Sequence, residues 1–170
     1  HDNMEILTCV LKGAISHKDS MGNAGDIKPG EWQLMSAGTG VRHSEINQYD
    51  EDVHLFQIWI IPNVKDAEPT YQQIQLDPKD APNQWHLIAG PNENAPMHLR
   101  QDAEVKTAVL EAGQSLDVNK TQTFNYIHVV EGEVEIAGQT VKTGDALMFD
   151  ENSTVKANQN TQMIWFDLPR

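Results

Sequence analysis

The sequence reads as an all-β sandwich or barrel, and three observations carry that expectation. Short runs rich in β-branched and aromatic residues recur along the chain. Gly, Pro, Asn and Asp bound them at close intervals. No window of 12 or more residues carries a helical stripe.

The first run, Ile6 to Leu11, ends in the glycine turn at Gly13. Ser16 to Asp26 reads as an inserted loop, and Lys28-Pro29-Gly30 turns the chain into the run Glu31 to Met35. Val53 to Ile61, Tyr71 to Leu76 and Trp85 to Ala89 follow as further strands. The stretch Ala89-Gly90-Pro91-Asn92-Glu93-Asn94-Ala95-Pro96 is rich in turn residues and poor in apolar ones. It is the expected boundary, giving domains 1–92 and 93–170. Beyond it come Val105 to Leu110, Tyr126 to Val130, Glu133 to Ile136, Ala146 to Phe149 and Met163 to Asp167. The halves share a plan. Val10-Leu11-Lys12-Gly13 precedes Lys28-Pro29-Gly30-Glu31 as Val129-Val130-Glu131-Gly132 precedes Lys142-Thr143-Gly144-Asp145. Regular turns between many short strands fit a sandwich or barrel.

Composition narrows the functions. The chain has 170 residues, of which 39% are hydrophobic, enough for a packed core. A formal charge of -13 argues against direct nucleic-acid binding, because the phosphate backbone demands Lys and Arg. The single cysteine, Cys9, excludes an internal disulfide and a Cys-rich zinc site. That suits a reducing compartment, and a cytoplasmic location is expected. No apolar stretch approaches the length of a membrane span. The chain opens on His1-Asp2-Asn3-Met4-Glu5 and runs straight into a strand, which reads as a processed, truncated or engineered start.

The sharpest cluster is Ser36-Ala37-Gly38-Thr39-Gly40-Val41-Arg42-His43-Ser44-Glu45. His43 and Glu45 are two apart, so on a strand both side chains share a face. An imidazole and a carboxylate beside a glycine-bent backbone form half of a site for a borderline divalent metal, or an ordinary surface turn. His1 and Glu5 also share a face on a β path, although a lone leading histidine is usually a tag remnant or a loose end. Arg42 can hold an anionic substrate or form a surface pair. His54 and His128 read as core or rim histidines, with His17 in a loop, and His86 and His98 lower still as candidates. Trp32, Met35 and Trp59 read as core or pocket wall, and Cys9 as a small buried hydrophobe.

These motifs together resemble the pirin family of the cupin superfamily, especially bacterial pirins that act as quercetin 2,3-dioxygenases. The family's first motif is His-Pro-His, three residues, Glu, then an apolar strand ending in Leu-x-Gly. His1, Glu5, Leu11 and Gly13 fall on it from its second histidine onward. His17-Lys18-Asp19-Ser20-Met21-Gly22-Asn23 resembles the family's loop. Pro29-Gly30, Gln33, Met35-Ser36-Ala37-Gly38-Thr39-Gly40 and His43-Ser44-Glu45 match the second motif, and Gln57-Ile58-Trp59-Ile60 the strand after it.

The resemblance implies a bicupin, two jelly-roll barrels with the first incomplete at its start. It implies metal ligands His1, His43 and Glu45. The fourth ligand of the family, a histidine two residues before His1, lies outside this chain. Many cupins place a metal-binding glutamate where Glu5 stands. Pirins use the later one, so Glu5 is expected to support the site without ligating. In the second half, the ligand positions of a metal-binding cupin fall near Asn119, Thr121 and Val155, none of which is a ligand.

The implied cofactor is one divalent transition metal, iron first, with nickel, copper, cobalt, manganese or zinc compatible with the same donors. The implied reaction opens a flavonol such as quercetin with O2, Glu45 taking the hydroxyl proton. The competing implication is a metal-binding, redox-sensing transcriptional co-regulator acting through a protein partner. A chain lacking its leading strands is also expected to expose strand edges, which favour a homodimer.

Overall fold

A computed structural model describes residues 1–119 and 121–169. Among these, regular structure is β throughout apart from one 3-10 turn over Pro78–Asp80. No helix among them is long and apolar enough to cross a membrane. The chain divides into two compact units, His1–Asp77 with Pro96–Gln101, and Pro78–Ala95 with Asp102–Arg170.

In the first unit, β1 (Glu5–Lys12), β4 (Glu31–Ser36), β6 (His54–Ile60) and β7 (Thr70–Gln75) form an antiparallel sheet in the order β6-β1-β4-β7. A second sheet, in the order β3-β2-β5, holds β2 (Ile15–Asp19), β3 (Ala24–Ile27) and β5 (His43–Ile46). Strand alternation sends Ile6, Thr8 and Val10 to one face of β1. Ile6 packs with Met35, Ala37 and Val41 at one end. Val10 packs with Ile15 and Ile27 at the other, so the two sheets share an interior. Between these apolar ends lies a polar row, because Thr8 registers with Gln33 on β4 and Gln57 on β6.

In the second unit, one sheet runs β15 (Ala146–Phe149), β12 (Phe124–Glu131), β17 (Thr161–Leu168), β10 (Glu104–Leu110) and β8 (His86–Gly90). The other runs β11 (Ser115–Val118), β16 (Ser153–Ala157), β13 (Glu133–Ile136) and β14 (Gln139–Lys142). Both contribute to one apolar core that includes Leu110, Val118, Ile127, Val134, Val155 and Trp165. Each fully buried aliphatic side chain of this kind contributes roughly 1.5–3 kcal/mol.

Two expectations about boundaries differ from the structure. Ser16 to Asp26 is largely a hairpin, β2 pairing with β3 from Ile15↔Ile27 to Lys18↔Ala24. The division into units falls at Asp77/Pro78 rather than at 92/93, because β8 hydrogen-bonds to β10 and so belongs with the second half. The short strand β9 (Met97–His98) belongs to the first unit, where Gln72 bonds both the nitrogen and the carbonyl oxygen of His98.

Candidate metal centre

The site is built on the β3-β2-β5 sheet. His17 on β2 registers with Glu45 on β5, and Asp19 with His43. Along β2, Ile15, His17 and Asp19 are buried while Ser16 is partly covered and Lys18 is exposed. The inward row of this strand therefore carries an imidazole and a carboxylate in place of aliphatic side chains.

His17, His43 and Glu45 each offer a donor atom, and these atoms lie within 4.8 Å of one another. His43 Nδ1 stands 3.6 Å from Glu45 Oε1, and His17 Nδ1 stands 4.0 Å from the same oxygen. These distances are too long for hydrogen bonds. Two donors bound at about 2.1 Å to one ion would stand roughly 3–4 Å apart. All three atoms are buried and lack a hydrogen-bond partner. Leaving a buried polar atom unsatisfied costs about 1–3 kcal/mol. Three such atoms facing one another make an arrangement that a cation would stabilise. Two imidazoles and a carboxylate suit a borderline divalent transition metal.

The atoms behind these donors are held. Asp19 Oδ2 accepts from His17 Nε2 at 2.7 Å. Asp19 Oδ1 accepts from the backbone nitrogens of Met21 and Asn23 at 2.9 and 3.1 Å. Burial pushes the Asp19 carboxyl up, but the bonds from His17, Asn23 and Met21 prevail and hold it below the ordinary value. An ionised Asp19 only accepts, so Nε2 of His17 carries a proton and Nδ1 is the nitrogen turned to Glu45. On the other side, Gln57 Nε2 donates to Glu45 Oε2 at 2.8 Å.

The residues singled out in the sequence fall as follows. His43 and Glu45 lie together in the donor group. His1 is outside that tight group, yet its ring centroid is 5.0 Å from that of His43. Two backbone bonds fix it there, His1 N to Val41 O and Val41 N to His1 O, each 2.8 Å. Glu5 is not in that group, and its Oε1 accepts from the backbone nitrogen of Arg100 at 2.8 Å. His54 and His98 are exposed. His86 Nε2 meets the carbonyl of Ala81 at 2.8 Å. Val155, at one of the degenerate ligand positions, is fully buried in the apolar core of the second unit.

His17, expected in a loop, stands instead on strand β2 and belongs to the donor group. Its signal was the alternation Ile15-x-His17-x-Asp19, which is a strand pattern once His and Asp are allowed to face inward. Two rings border the cluster. Tyr71 lies 5.2 Å from His17, and Trp59 meets His1 edge-on at 4.7 Å.

A family model described as Pirin matches residues 1–60, and one described as Quercetinase C-terminal cupin domain matches residues 87–168. The chain is 39% identical over 174 residues to a quercetin 2,3-dioxygenase of Escherichia coli strain K12, spanning 99% of this chain and 74% of that protein. Among solved structures it is similar to YhhW from Escherichia coli, with a TM-score of 0.92 and 36% identity over 99% of this chain and 73% of that one. A second structure, of bacterial pirin YhhW in complex with nickel(II), gives a TM-score of 0.92 and 35% identity over 99% and 74%.

Proposed function

The chain belongs to the pirin family, and from that premise we propose that it is a metal-dependent dioxygenase that opens flavonols such as quercetin with O2. The observation that carries the proposal is the convergence of His17 Nδ1, His43 Nδ1 and Glu45 Oε1, buried and without hydrogen-bond partners. His17, His43 and Glu45 would hold the ion, and His1, whose ring lies 5.0 Å from that of His43, would supply a fourth donor. Iron is the expected metal, and nickel, copper, cobalt, manganese and zinc suit the same donors. The nickel(II) complex of the related pirin YhhW supports a transition metal.

When bound, such an ion supplies Lewis-acid stabilisation of anionic oxygens and one-electron chemistry toward O2. Beside such an ion the Glu45 carboxylate would accept the proton of the flavonol 3-hydroxyl. The rings of Trp59 and Tyr71 flank the flat aromatic substrate. Flavonol and O2 together yield a depside and carbon monoxide, which balances the atoms.

The test is loss of quercetin absorbance under air by the chain loaded with iron or nickel, with carbon monoxide measured alongside. His43→Ala is expected to abolish the loss. Stoichiometric metal with no consumption across a panel of flavonols overturns the dioxygenase and favours a metal-binding co-regulator.

A further inference from the structure

Gln57 and Trp59 lie two apart on β6, so their side chains share a face. The Trp59 indole nitrogen is 3.0 Å from Gln57 Oε1 and can only donate. That bond settles the orientation of the amide, with Oε1 toward Trp59 and the NH2 group away from it. The NH2 group then donates to Glu45 Oε2 at 2.8 Å and approaches Thr8 Oγ1 at 3.4 Å. One oxygen of Glu45 is thereby occupied, and the other is left facing the two imidazoles.

We propose that Gln57 is a positioning residue for the metal centre, locked by Trp59 so that Glu45 presents Oε1 alone to the cation. The proposal rests on the metal site proposed above and not on its flavonol chemistry. A carboxylate without this bond can swing to offer either oxygen or both. With Oε2 tied to the amide, Glu45 binds through one atom, and the remaining coordination positions stay open. Partners that orient a metal ligand typically contribute about 10–100-fold in metal affinity.

Cobalt(II) is the probe, added to the full metal-free chain and followed by calorimetry and by its visible absorption bands. Gln57→Leu keeps the bulk and removes the bonds to Trp59, Glu45 and Thr8. It is expected to weaken cobalt binding by about 10–100-fold and to shift the bands. Trp59→Phe keeps a ring against His1 and removes only the donor, for an expected loss of about 3–10-fold. The double variant is expected to match Gln57→Leu, because Trp59 acts through Gln57. Should Gln57→Leu fail to fold, Trp59→Phe carries the test, since Trp59 is 51% exposed. Cobalt affinity within about twofold of the parent with unshifted bands overturns the proposal, as does strict additivity in the double variant. A parent chain that binds no cobalt overturns both this proposal and the metal site. A parent chain that shows the expected cobalt pattern yet leaves quercetin intact overturns the dioxygenase alone.

Discussion

Asp19 and His17, two apart on β2, are joined by a 2.7 Å bond that leaves His17 Nδ1 as the nitrogen facing Glu45. Carboxylate partners of this kind fix the ring and raise the basicity of a ligating histidine. Asp19→Asn is expected to lower nickel(II) affinity by about 10–100-fold. Isothermal titration calorimetry checks it, and an unchanged affinity would remove His17 from the ligand set.

Cys9 is the one thiol, 3% exposed on β1. Burial, with a smaller push from the Asp77 carboxylate, raises its pKa to about 12. At pH 8 it is therefore a protonated thiol, and the thiolate is the reactive form. The native chain is expected to resist iodoacetamide at pH 8 and to be alkylated once guanidinium unfolds it, as read by intact-mass spectrometry.

His128 on β12 has its pKa pushed below the ordinary 6.5 by burial, against an opposing pull from the Asp145 carboxylate. The unfolded chain then takes up this proton at a higher pH than the folded one. The contribution of His128 to stability is constant above pH 6.5 and falls as pH drops from there through the depressed folded value. His128→Gln is expected to flatten that part of the stability curve in urea melts between pH 7 and pH 5. A side-chain NMR titration that places His128 above 6.5 would reverse the sign.

Gly38 and Gly138 both have positive φ, +50° and +75°, but their surroundings differ. A Cβ on Gly38 would be driven into the carbonyl of Ala67, whereas one on Gly138 meets nothing within 4 Å. Gly138→Ala is expected to cost about 1–2 kcal/mol, the left-handed strain alone. Gly38→Ala adds overpacking of about 1–3 kcal/mol and disturbs the turn that leads to His43. Equilibrium urea denaturation of the two variants separates these contributions.

The legible and illegible parts of the fold divide by what faces inward. Val53 to Ile61 and Met163 to Asp167 are readable as strands because apolar residues dominate both runs, and they appear as β6 and β17. β2 is not, because His17 and Asp19 occupy its inward row, and β3 is not, because Ala24-Gly25-Asp26 carries no strand pattern. The site divides in the same way. The spacing His43-x-Glu45 was visible since both residues lie on one strand, and the structure brings them together. His17 joins them only through the pairing of β2 with β5, a long-range register that local pattern does not encode. Glu5 shows the converse, since its place in a motif says nothing of Arg100, 95 residues away, whose backbone it holds.

The apolar core of the second unit sets it apart from the polar row and bare donors inside the first. Chelation should therefore loosen the molecule unevenly. Amides along β1, β2 and β5 would exchange with deuterium faster once the ion is stripped, while those of β12 and β17 keep their protection. One half would then be a folding scaffold indifferent to metal supply, and the other would be conditionally rigid, its order linked to the metal available around it.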